Sequence, residues 1–399
     1  MAHSMALLGA ASNKPLQFIA TGLGSGYGSA VTSLDGPSYV QSYTTTYKLN
    51  KSGRVMWAVQ FSGTGNKQGL AIDFNQNVYV SGDGSFVAAL DSSGNVLWQR
   101  EIGTGIEWNS AAIDTQSDTG KLYLAGTNGS YGHIACINSS TGSVIWAKRT
   151  STVNIIFTGV SSNSNQVLAT GYISNGTTWE SHVIKLDEAG NIGWQRRMSL
   201  GTSNNIFGES VAARGGSTSL VAGQMQSPRI TFIADFNTQN GTNGFSLKTT
   251  STSGFLQADF GSVGFDAEGF SYVTYKDIYD NYAGSLGTGY TRFLSSTPQK
   301  TVTFQNLNST LRLSTSRTDR TLGLMGVSGF VKVLGDDSIL TGPVGAYNVI
   351  EDPAGFGYSS SGISISTDGV SYMDSGLTSS ASSYSVVSSG TTSTVTYLR

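Results

Sequence analysis

The stretch AIDFNQNVYVSGDGSFVAALDSSGNVLWQREIG, residues 71–103, decides the reading of the whole chain. Its apolar and alternating runs are only a few residues long, and each is bounded by Gly, Asn, Asp or Ser, the pattern of strands separated by tight turns. Asn75-Gln76-Asn77 marks one turn and Asp91-Ser92-Ser93-Gly94 another, with Gly94 suited to the positive φ such a turn requires. Trp98 closes the unit.

The same unit recurs outward in both directions. KLNKSGRVMWAVQFSG, CINSSTGSVIWAKRT and KLDEAGNIGWQRRMS repeat the turn and the tryptophan, placing Trp57, Trp146 and Trp194 in one slot with Trp98. AIDTQSDTGKLYLAG and GVSSNSNQVLATG repeat the upstream block, ending at Gly126 and Gly171 as the first ends at Gly82. One unit therefore holds four strands, A to D, and four-stranded units at this period are the signature of propeller blades. Weaker copies place Phe245, Phe304 and Tyr358 near the tryptophan slot, while PLQFIATG at the front reads as strand B of the first blade. The expectation is an all-β propeller of about seven blades, six being the alternative. An aromatic at the end of strand D is expected to lie between neighbouring sheets and to hold blade to blade.

Composition agrees with that class and excludes others. The 399 residues include 51 Gly and 6 Pro, with 12% charged, too thin a supply of helix formers for a coiled coil. A formal charge of −2 gives no electrostatic footprint for nucleic acid. No apolar run approaches a membrane span. The lone Cys136 supports neither an intrachain disulfide nor a structural zinc site. The division expected is an N-terminal arm over residues 1–16, a propeller over 17–359, and a β-rich closing or appendage segment over 360–399. In that division the first blade lacks its own strand A, and Ile363 to Ser366 is a candidate to pair with it. The arm, MAHSMALLGAASNK and onward, has no basic residue before its apolar stretch and is read as a contact for a neighbouring subunit rather than a secretory signal.

These units resemble the bacterial propeller repeat of surface proteins, in which AVDSSGNVYVTG is followed by VAKLDSSGNLLW; AIDFNQNVYVSG and VAALDSSGNVLW are the matching runs here. The run Ala135 to Trp146, with Thr141-Gly142, is also similar to the docking motif of quinoprotein dehydrogenases. That enzyme family implies adjacent cysteines over its cofactor, which a chain with one Cys lacks. STDGVSY, Ser366 to Tyr372, looks like the Asp-box turn of sialidase propellers, a structural element in that family. The Gly, Ser, Thr and Asn richness of an all-β chain is similar in style to tail and fibre proteins of bacterial viruses.

Candidate chemistry is sparse. His3, His133 and His182 are the only histidines, the latter two at equivalent strand C positions, and the repeat places no third ligand beside them. Cys136 sits in the apolar run HIACI, and no GxSxG elbow precedes a helix. The expectations are no catalytic residue, no metal and no cofactor. Loop geography gives a rim: B–C and D–A loops share one face, which gathers Trp108, Tyr131, Trp179, Tyr279 and Tyr282, with Asp277 and Asp280 beside the last two. This mixture suits stacking on a sugar and accepting its hydroxyls, or contact with another subunit. Calcium held by Asp277 and Asp280 is a further option. The expected role is a non-catalytic structural or adhesive part of a bacteriophage virion, in a homo-oligomer or with other virion subunits through the arm and the C-terminal segment. The alternative is a bacterial surface or exported propeller that binds glycans or proteins.

Overall fold

A computed structural model describes residues 17–21, 23, 26–31, 36–62, 66–113, 120–151, 154–163, 166–201, 204–214, 218–226, 229–251, 261–277, 287–305, 312–316, 318–326, 329–334, 342–344, 347–351, 356–360, 363–367, 370–381, 385–388 and 394–398. The expected arm, residues 1–16, lies outside them. All regular structure among the described residues is strand.

Seven antiparallel sheets, each built on four strands A to D, form the blades. Blade 1 comprises Gly26–Val31, Ser38–Ser42, Thr45–Leu49 and Val55–Ser62. Blade 2 comprises Lys67–Ile72, Val78–Gly82, Phe86–Leu90 and Val96–Ile102. Blade 3 comprises Glu107–Ile113, Lys121–Thr127, Gly132–Asn138 and Val144–Thr150. Blade 4 comprises Ile155–Asn163, Gln166–Ser174, Trp179–Asp187 and Ile192–Ser199. Blade 5 comprises Ile206–Ala213, Thr218–Gln226, Arg229–Asn237 and Asn243–Ser251. Blade 6 comprises Val263–Phe265, Ser271–Asp277, Gly287–Leu294 and Thr297–Gln305. Blade 7 takes Arg312–Thr315, Thr321–Gly326 and Gly329–Leu334 from late in the chain and Gln17–Thr21 from its start.

That last strand corrects the reading of PLQFIATG. It is not strand B of blade 1 but strand D of blade 7, with Ile19 opposite Val331. Blade 1 has its own strand A, Gly26–Val31, paired through Ser29 and Val40. Adjacent A strands touch all the way round, blade 7 against blade 1 included, so the sheets form a closed ring around an axis.

Seven apolar clusters, one at each blade junction, make up the core. Four junctions carry the same clamp. The indole N–H of Trp57, Trp98, Trp146 and Trp194 donates to the carbonyl of Ser92, Ser139, Glu188 and Thr238, at 3.2, 2.8, 2.8 and 3.0 Å. Each acceptor belongs to the C–D turn of the next blade. The ring also lies against that turn's glycine: a Cβ added at Gly94, Gly142, Gly190 or Gly241 would meet the preceding blade's indole at 3.0 Å or less. These glycines also have positive φ, from 69° to 89°, so turn geometry and close approach impose the same residue.

A second clasp surrounds the axis. Strand A of blades 1 to 5 contains a β-bulge at the same level, and bulges re-aim side chains. In blade 3 the bulged Asn109 donates to the Phe157 carbonyl of blade 4 at 2.7 Å. Thr158 of blade 4 donates to Gly208 of blade 5 at 2.7 Å, and Glu209 of blade 5 accepts from the Gly261 N–H at 2.9 Å.

The C-terminal part of the chain then retraces the ring in reverse. Tyr347–Glu351 pairs with strand D of blade 6 and carries Gly342–Val344 on its outer side. Phe356–Ser360 pairs with blade 5, Ser364–Thr367 with blade 4 and Tyr372–Asp374 with blade 3. Ser379–Ala381 pairs with blade 2, Ser385–Ser388 with blade 1, and Thr394–Leu398 with Gln17–Thr21 in blade 7. Every blade thus gains a fifth strand on the edge that strand D would otherwise leave open. Three corrections follow. Ile365 lies opposite Met198 in blade 4, so this stretch does not pair with blade 1. Tyr358 lies opposite Thr249 on the outer strand of blade 5 and is not in a strand D slot. Sheet pairing runs across the expected division at 359/360, because Phe356–Ser360 already belongs to this outer layer.

The outer layer also reaches into the core. Ile363 and Ile365 pack at the junction of blades 4 and 5, Val370 and Tyr372 at that of blades 3 and 4, and Leu377 at that of blades 2 and 3.

Candidate functional site

The rim formed by B–C and D–A loops is the candidate site, and the structure sorts its expected members. Trp108 does not belong to it. The side chain is fully buried between blades 2 and 3, its N–H donates to the Ile102 carbonyl at 3.1 Å, and His133 meets its ring edge-on at 6.5 Å. Alternation explains this: Trp108 is on the face of strand A turned to blade 2, in register with Gly126 and then His133.

Tyr131 and Trp179 are half-buried. The Arg149 guanidinium lies 4.9 Å from the centre of the Tyr131 ring, a cation–π arrangement. Trp179 joins Tyr172 and Phe207, which the sequence reading missed. Tyr172 meets Trp179 edge-on at 5.3 Å and Phe207 edge-on at 4.9 Å. Both missed residues sit at the loop ends of repeated strands, Tyr172 after the Gly171 that ends the upstream block, and that repeat position is the signal that marks them. The platform is fixed from below by Asn205, whose side-chain oxygen accepts the Trp179 backbone N–H at 2.8 Å and whose amide donates to Gln226.

Acids flank this platform. Burial raises the Glu107 carboxyl above the ordinary range, and neighbouring Asp83 adds to the effect. Burial likewise raises the Tyr172 phenol, assisted by Glu209 and Glu107. Glu180 accepts from Asn175 at 2.9 Å and pairs with Arg197 at 3.3 Å. Asp277 ends strand B of blade 6, and Tyr279, Asp280 and Tyr282 lie outside the described residues. Among the described residues no group of three or more His, Cys, Asp or Glu is arranged to hold a metal.

The blade-packing aromatics sort as well. Phe245 packs against the junction of blades 5 and 6. Phe304 is buried at the junction of blades 6 and 7, but it lies four residues beyond the slot. There the last pair before the C–D bulge is Arg292 with Lys300, so Lys300 stands where Ala89 faces Trp98 in blade 2.

The two strand C histidines occupy an aromatic packing position. His133 and His182 face Arg149 and Arg197 across the C–D ladder, as Phe86 faces Glu101 and Phe232 faces Lys248 in neighbouring blades. His182 bonds the Tyr372 hydroxyl of the outer layer at 2.7 Å. His133 is 3% exposed, neither ring nitrogen has a hydrogen-bond partner among the described residues, and burial, with Arg149, pushes its pKa down to about 4. The Cys136 thiol is pushed up to about 12 by burial, the state of an inert core thiol. At the opposite mouth of the ring, a cavity of about 370 Å³ is lined by Ser161, Asn163, Arg214, Asp266 and Thr315.

Solved structures of propellers superpose on this ring. The WD40 repeats of RRP9 match with a TM-score of 0.57 and 10% identity over 81% of this chain and 98% of that one. The WD40 β-propeller domain of Doa1 matches with a TM-score of 0.53 and 10% identity, over 80% and 96%. The chain is a seven-bladed β-propeller. BamB from Moraxella catarrhalis is similar over 78% of this chain and 99% of its own, with 13% identity and a TM-score of 0.47. The family model described as outer membrane protein assembly factor BamB matches residues 12–178, which include blades 1 to 3 with Trp57, Trp98 and Trp146. No curated protein matches the sequence. The family-model match spans less than half of the chain, and these likenesses concern its fold.

Proposed function

We propose that this propeller is a non-catalytic, protein-binding component of an external surface, with the B–C and D–A rim as its recognition face. The observation that carries this reading is the platform of Tyr172, Trp179 and Phe207. These are half-buried aromatics packed edge-on against one another on a scaffold with an apolar cluster at every blade junction, the type of surface that anchors protein partners. The match to a model named for outer membrane protein assembly is consistent with a protein partner and favours a bacterial surface setting. The finer reading is a bacteriophage virion part, a tail, fibre or other appendage present in several copies. Its support is compositional: a Gly-, Ser-, Thr- and Asn-rich all-β chain whose outer edges are covered by its own C-terminal strands.

Immobilised propeller and the Trp179→Ala/Phe207→Ala variant, presented to envelope fractions of candidate host bacteria, test the recognition face. Retention by the parent protein and its loss in a folded variant support the reading; equal retention, or none by either, refutes it. Gold-labelled antibody on purified phage particles against intact bacteria separates the two settings.

A further inference from the structure

Resting on the multi-copy reading above, we infer that the outer edges of the D strands are a strand-accepting surface for a second copy of this chain, and that the C-terminal layer can be exchanged between copies. Acceptor and donor are both on the page. The acceptors are the edges of strand D in seven blades; the donors are the strands from Tyr347 to Leu398, whose registers are fixed pair by pair. The donor layer is joined to the ring body at one place, between Leu334 of blade 7 and Gly342 beside blade 6. Every described strand after that crossing lies outside the D strands, so these strands can leave without any blade losing a strand among A to D.

Three of the attachments are small. Ser364–Thr367, Tyr372–Asp374 and Ser379–Ala381 are mostly exposed or half-buried. They are held by short main-chain ladders, the Lys148–Asp374 ion pair, the His182–Tyr372 hydrogen bond, and apolar plugs such as Leu377 at Gly103. Segments with few buried contacts open locally well before the global transition. A layer donated by a second ring would remake the same pairs and plugs in the same registers, so the exchanged form costs chiefly the entropy of association. Concentration then sets their ratio.

Lys148 and Asp374 face each other across blade 3 and its outer strand, within the reach of a disulfide, and the buried Cys136 does not compete for oxidant. Lys148→Cys and Asp374→Cys chains, distinguishable in size, would be mixed at high and low concentration, warmed below the melting transition and oxidised with diamide. The expected result is a reducible heterodimer whose yield rises about tenfold with a tenfold rise in concentration. It should exceed several-fold that of Lys148→Cys mixed with Asn128→Cys, which reports random collision. The Lys148→Cys/Asp374→Cys double variant should give an intramolecular link when dilute. A heterodimer yield no higher than the collision control overturns the inference, as does a double variant that fails to link. If copies associate in native mass spectra without the heterodimer, exchange is wrong while multi-copy assembly stands; monomers throughout remove both.

Discussion

Removing Trp98 tests the clamp that repeats around the ring. Its ring is 6% exposed, lies on Gly142 and donates to Ser139 at 2.8 Å. Trp98→Ala should cost ~3–5 kcal/mol, the range for truncating a buried aromatic. Trp98→Phe keeps most of the packing but strips the partner from a buried carbonyl, and should cost ~1–3 kcal/mol. Gly142→Ala strikes from the other side. Its φ of 72° is unfavourable for alanine, and the new methyl would stand 2.8 Å from the Trp98 ring and 2.7 Å from the Arg100 side chain. The left-handed backbone contributes about 1–2 kcal/mol and overpacking about 1–3 kcal/mol. In a Trp98→Ala background the indole contact vanishes and the backbone cost remains, so the two substitutions should couple by at least ~1 kcal/mol. Urea unfolding followed by circular dichroism reads all four corners of the cycle. Additive costs, or a Trp98→Ala cost below about 1 kcal/mol, would refute the clamp.

His133 makes stability depend on pH. Its folded value of about 4 lies below that of an exposed histidine, so the unfolded chain binds the proton first. Stability is full above about pH 6.5 and declines as pH falls toward 4, by about 3 kcal/mol in total. His133→Phe, the residue type at the matching position of blades 2 and 5, should flatten that decline between pH 7 and 5; an unchanged slope in thermal melts would show that His133 does not cause it. Asn109→Ala removes the clasp between blades 3 and 4 and should cost about 1–2 kcal/mol in urea titrations, whereas no change in midpoint would show that the bond is idle. Ending the chain at residue 388 uncovers the strand Gln17–Thr21, which then pairs only with blade 7 strand C. Hydrogen exchange should show its protection lost while blades 2 to 5 keep theirs; retained protection would show that Thr394–Leu398 does not hold the closing strand.

The clamps were legible in the sequence because one residue type does two things at each place. Trp98 and Gly142 are distant in sequence, but each residue type recurs shortly after an Asp or Asn that opens a C–D turn. Ring closure was not legible, since Gln17–Thr21 finds its partner at the far end of the chain and carries no mark of which blade it joins. Phe304 misled because blade 6 has a two-residue turn, Ser295-Ser296, which moves Lys300 into the slot. Trp108 misled because a loop-proximal strand position still alternates between solvent and blade junction. The β character of residues 360–399 was legible, but the order in which these strands retrace the ring was not, since short polar strands carry no mark of which blade they join. The layer's signal is a period, with Ile363, Val370 and Leu377 spaced evenly through Ser and Thr and each plugging the next junction round the ring.

The central claim, a ring laced by its own C-terminal strands in reverse order, is tested most directly by disulfide trapping at three separated stations. Arg197→Cys/Ser366→Cys, Glu101→Cys/Ser380→Cys and Gln17→Cys/Leu398→Cys join register partners in blades 4, 2 and 7. The account predicts that each pair links within one dilute, folded chain, while the mismatched pairs Arg197→Cys/Ser380→Cys and Glu101→Cys/Ser366→Cys do not. Efficient linking of the mismatched pairs, or none at the matched ones, would contradict it.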